Sequence, residues 1–76
     1  MIPIKQYSRV KVLKDPYGLK LYTRTGTVIW GDTYEMYVVR LDHAALGRDV
    51  YGDPAWFEEI RESERNLAVI EQPPGE

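Results

Sequence analysis

Thr25-Gly26-Thr27-Val28-Ile29-Trp30, the polar break Gly31-Asp32-Thr33, and then Tyr34-Glu35-Met36-Tyr37-Val38-Val39-Arg40-Leu41 form two runs of β-branched and aromatic residues about a tight turn. Such runs suit a pleated, half-buried surface, and Gly-Asp between them is hairpin chemistry. With side chains alternating at period two, Tyr37, Val39 and Leu41 share one face of the second strand while Met36, Val38 and Arg40 share the other. On the first strand, Val28 and Trp30 are expected on a common face.

Upstream, Arg9-Val10-Lys11-Val12-Leu13-Lys14 alternates charged and apolar residues, so it reads as a strand with Val10 and Val12 facing the core. Asp15-Pro16-Tyr17-Gly18 ends it: Asp bonds local backbone, Pro presets φ, and Gly tolerates a positive one. The loop Leu19 to Arg24 carries enough apolar side chains to pack against the body, with Leu21 as its anchor.

Downstream, the alternation weakens from Asp42 to Pro54 into a connection of thirteen residues. Loops that long usually hold a short element or a function. Asp42 is placed to cap a single helical turn over His43-Ala44-Ala45-Leu46, stopped by Gly47. Residues 55–61 fit two patterns, a helix begun at Asp53-Pro54 or a strand with Phe57 facing in. Ser63 to Asn66 reads as a turn, Leu67 to Glu71 as a last strand, and residues 1–6 and 72–76 as fraying ends.

Four strands, one ambiguous segment and no long amphipathic helix call for an all-β fold: a small, bent antiparallel barrel of about five strands with one or two short helical turns. At 76 residues the chain holds one domain, with its body over residues 7–71, and no second domain to close over a substrate. The absence of cysteine leaves no disulfide and no thiolate metal site to supplement a small core. The order strand, long loop, "TGTVI" strand, tight turn, "YVVRLD" strand, variable loop, aromatic strand, one-turn helix and "LAVIE" strand resembles the SH3-like barrels. Within them, "RVKVLKDPYGL" followed by "TGTVI" resembles the KOW motif of transcription and ribosomal proteins. The skeleton is also similar to the E subunit of photosystem I. The KOW resemblance implies nucleic-acid binding, although Leu19 to Thr25 stand where that pattern has a second glycine near Gly18. The other implies a small accessory subunit.

Catalytic constellations are missing. Ser8 and Ser63 lie in no strained elbow, the single imidazole of His43 is in a different segment, and no phosphate-binding glycine loop is present. Asp42, His43, Asp49 and Asp53 match no metal-ligand spacing, so neither metal nor cofactor is expected. The expectation is no enzyme, unless homo-oligomerisation builds a shared site. Pro3, Lys5 and Gln6 interrupt any leader-like apolar start, and no run approaches the ~18 apolar residues of a membrane span, so a cytoplasmic location is the default.

What remains is surface. Nine aromatics exceed what so small a core can hide. Tyr17, Tyr22, Trp30, Tyr34, Tyr51 and Trp56 are therefore the candidate protein-binding residues, Tyr and Trp giving large contact area at small entropic cost. The competing assignment keeps Trp30, Tyr37 and Phe57 in the core. The alternative partner is nucleic acid, held by Arg9, Lys11, Lys14, Lys20 and Arg24 with Tyr17 and Tyr22 for stacking. Residues 1–40 carry seven basic against three acidic side chains, and residues 41–76 three against nine, yet the net charge of -2 disfavours a polyanion.

Overall fold

The computed structural model describes residues 4–31 and 36–73. Its elements are β1 (Arg9–Val12), β2 (Thr25–Gly31), β3 (Met36–Arg48), β4 (Pro54–Ser63) and β5 (Leu67–Glu71), with a 3-10 turn over Glu64–Asn66. They form one antiparallel sheet in the order β4-β3-β2-β1-β5, so the first and last strands are neighbours. The all-β, five-stranded architecture expected from the sequence is the one observed.

The core follows the period-two pattern. Val10, Val12, Val28 and Val39 are fully buried, and Tyr37, Leu41, Ala45, Ile60 and Leu67 complete the cluster. Ile4, Leu19 and Leu21 pack against it from the segments flanking β1, Leu21 as expected. Residues 4–6, expected to fray, are tied down: Ile4 N donates to the Tyr37 hydroxyl and Gln6 Nε2 to the Ile29 carbonyl. Val39 lies opposite Val28 on one side and Ile60 on the other. Val39→Ala, which strips buried methyl groups from an interior strand, is expected to cost about 1–3 kcal/mol. Urea unfolding followed by circular dichroism reads it, and an unchanged midpoint would contradict this register.

β1 stops at Val12 because an amide side chain takes over the pairing. Asn66 Oδ1 accepts from Lys14 N at 2.8 Å and Asn66 Nδ2 donates to the Lys14 carbonyl at 2.9 Å, in the manner of a strand backbone. Leu13, expected in the strand, is half exposed.

Three expectations need correction. Val28 and Trp30 do not share a face: a bulge sets Val28 against Val39 but Trp30 against Val38, and the extra residue turns Trp30 outward. Trp30 is thus half exposed, Phe57 is only partly buried, and of the three proposed core aromatics Tyr37 alone is buried. The helical turn over residues 43–46 does not form. β3 runs through it to Arg48, with Leu41 to Ala44 arching opposite the single residue Glu58 between the pairs Arg40–Glu59 and Ala45–Phe57. The ambiguous residues 55–61 are strand, because all of them except Glu58, which faces the arch, gain a cross-strand partner from β3. Asp32, Thr33 and Tyr34 lie outside the described residues.

Candidate functional site

The arch in β3 carries the β3–β4 hairpin past β2 and toward the loop after β1. There Lys20 N donates to the Leu46 carbonyl at 2.8 Å and Leu46 N to the Lys20 carbonyl at 3.0 Å, so the loop acts as a further strand. Leu46 in turn pairs with Trp56. Cross-strand partners point to the same side, so Lys20, Leu46 and Trp56 form one row across three segments.

Rings gather on this row. The Tyr22 ring centroid is 5.2 Å from that of His43 and 5.7 Å from that of Trp56, and His43 lies 6.2 Å from Trp56, edge on. These tilted arrangements are the favourable ones for aromatic pairs. Lys20 Nζ sits 5.2 Å from the Tyr22 centroid, a cation over a ring face. The Ala44 carbonyl lies 2.8 Å from His43 Nδ1 and holds the imidazole in place. Despite their mutual packing the rings face water: Tyr22 is 47% and Trp56 59% exposed. Their neighbours hold three rings in a fixed arrangement without hiding them.

Beside the rings runs an open groove of about 680 Å³, lined by Tyr17, Leu19, Lys20, Leu46, Arg48 and Pro54 among others. Of the sequence candidates, Tyr22 and Trp56 meet directly, Tyr17 stands at the groove, and Tyr51 projects from the turn between β3 and β4. Trp30 lies at the opposite end of β3, outside this group.

The candidate cations divide. Arg9 donates bidentately to Asp42, Nη1 to Oδ1 at 2.7 Å and Nη2 to Oδ2 at 2.6 Å, and also to Thr27 Oγ1. Arg24 pairs with Asp15 at 2.9 Å and caps the Leu13 carbonyl. Two of the five cations are therefore already met by carboxylates. Lys11 and Lys14 are exposed and Lys20 belongs to the ring face.

Asp42 caps no helix; it accepts from Arg9 and from Thr25 Oγ1, and these two hydrogen bonds lower its pKa from 3.8 to about 2. A carboxylate with a depressed folded-state pKa stabilises above its unfolded value and loses that contribution as pH falls through the folded one. The loss is expected between about pH 4 and pH 2. Because the pair is partly exposed, screening leaves it less than about 1 kcal/mol. Asp42→Asn is expected to flatten that part of the pH dependence of the melting temperature. An acid limb of equal slope in variant and parent would exclude Asp42 as its source.

The sequence pattern does not reveal His43 as a ring partner, nor Leu46 and Pro54 as lining the groove beside the rings. The hairpin that holds them does leave a signal: Ala44, Leu46 and Arg48 alternate on one side of Asp49 to Asp53, and Pro54, Trp56 and Glu58 on the other, about a turn containing Gly52. Among the described residues no three His, Asp or Glu side chains converge as metal ligands, and no helix is long and apolar enough to cross a membrane. Comparison with protein-family models, with curated proteins and with solved structures returns no match.

Proposed function

We propose that the chain is a non-catalytic interaction module, an SH3-like barrel whose ring face Tyr22–His43–Trp56 binds another protein. The observation that carries this reading is the set of three rings in mutual contact yet open to water. Ordering such side chains costs little on binding because strands and neighbours already hold them, and aromatic anchors of this kind dominate interface energies. The strand order, the long loop between β1 and β2 and the single turn before β5 support the SH3-like assignment. Accessory-subunit function is the corresponding biological role.

A nucleic-acid role of the KOW type draws on the same rings, but the carboxylates already paired with Arg9 and Arg24 count against it. Two experiments separate the partners. Peptide display against the intact chain, counter-selected on a Tyr22→Ala/Trp56→Ala double variant, is expected to enrich peptides that bind the parent alone. Fluorescence anisotropy with labelled single-stranded and duplex oligonucleotides is expected to show no binding even at low salt, where phosphate contacts are strongest. Tight, steeply salt-dependent binding would replace the protein partner with a nucleic acid.

A further inference from the structure

We infer that the turn between β3 and β4 docks into the groove of a second copy of this chain, forming a reciprocal, two-fold dimer. Val50 and Tyr51 at its tip are 93% and 86% exposed. Nevertheless the turn is tightly built. Asp49 N donates to the Asp53 carbonyl at 2.9 Å and Gly52 N to the Asp49 carbonyl at 3.0 Å. Asp49 Oδ1 accepts from both Tyr51 N and Asp53 N, Arg48 Nη1 donates to the Gly52 carbonyl at 2.6 Å, and Gly52 takes the positive φ that closes the loop. A tip so held presents two apolar side chains with little entropy left to lose on docking.

The receiving surface lies on the same hairpin. Arg48 and Pro54, which flank the turn, also line the groove of about 680 Å³, roomy enough to receive the tip's side chains. Protrusion and recess are therefore neighbours on one molecule, the condition for an isologous contact in which each copy offers both. Their charges are opposite: Asp49 and Asp53 bracket the tip, while Lys20 borders the groove, Arg48 at its edge being held to its own turn by the Gly52 carbonyl. Asp15, the groove's own carboxylate, is paired with Arg24 at 2.9 Å and so opposes an incoming acid less. Shape and charge thus match a second copy in both directions across the axis.

Sedimentation of the full chain from about 10 µM to about 1 mM tests this, the range being that of a contact smaller than a standard stable interface. Mass is expected to rise toward twice the monomer. Tyr51→Ala and, separately, Lys20→Glu are each expected to weaken association at least about tenfold. Adding Asp53→Lys to Lys20→Glu is expected to restore it, since the reversed pair again attracts. Tyr51 and Asp53 are exposed, and circular dichroism verifies that each variant is folded. A monomer mass throughout, or association that Tyr51→Ala leaves unchanged, would overturn the inference. The ring-face reading is judged separately: Trp56→Ala is expected to lose peptide binding and keep self-association, and Tyr51→Ala the reverse.

Discussion

Gly26→Ala is expected to leave the chain largely unfolded. Gly26 lies in β2 between Val10 of β1 and Leu41 of β3, with strands on both sides. A Cβ there would stand 2.5 Å from the Arg40 carbonyl oxygen and 2.8 Å from Val39 Cγ1. The first of these is backbone of an interior strand, so relief requires β2 and β3 to separate beside the buried Val28 and Val39. Overpacking of this kind costs about 1–3 kcal/mol or more, against a total of only a few kcal/mol for a domain this small. Gly47→Ala supplies the contrast, its new Cβ meeting the side chains of Leu19 and Phe57 and no backbone among its nearest atoms. Side chains can shift, so its loss is expected to be smaller. Urea titrations of both, followed in the far ultraviolet, provide the measurement. A Gly26→Ala variant as stable as the parent would contradict the close approach of β2 to β3.

The largest functional effect is expected at Trp56. Its indole is the most exposed of the Tyr22 and Trp56 pair and contacts both other rings. Trp56→Ala is expected to weaken a peptide selected on the parent about 30-fold, the equivalent of about 2 kcal/mol. Because the side chain stands outside the buried cluster, the melting temperature is expected to stay within a few degrees of the parent. Trp30→Ala is the control: equally a half-exposed tryptophan, it lies at the far end of β3, and both affinity and stability are expected to be unchanged. Isothermal titration calorimetry on the two variants distinguishes a localised hot spot from a general requirement for surface aromatics.

How much of this was legible beforehand depended on whether the chemistry was local. Val10, Val12, Val28 and Val39 announce their burial through alternation alone, and Leu67 to Glu71 its strand through β-branched composition. Trp30 departs from the face that alternation predicts because a bulge adds one residue to β2 without altering its composition. Asp42 departs from its predicted capping role for a related reason. As a capping residue it satisfies a local rule, but Arg9 reaches it across 33 positions of chain and binds both its oxygens. The ring face combines a loop residue, the arch of β3 and the start of β4, brought together by the Lys20–Leu46 bridge. Tyr22 and Trp56 were therefore legible as surface aromatics and illegible as neighbours. His43 reads from the sequence as one residue of a capped turn and as an imidazole without catalytic or metal-binding partners, because its ring neighbours are distant in sequence.

The most direct test of the ring face is amide chemical-shift mapping of the isotopically labelled chain during titration with a displayed peptide. Shifts are expected to concentrate at Lys20 to Tyr22, His43 to Leu46 and the indole N–H of Trp56, with β5 and the end of the sheet around Trp30 unmoved. Shifts centred on β5 or Trp30, with the Trp56 indole unchanged at saturation, would contradict the assignment of Tyr22, His43 and Trp56 as the binding face.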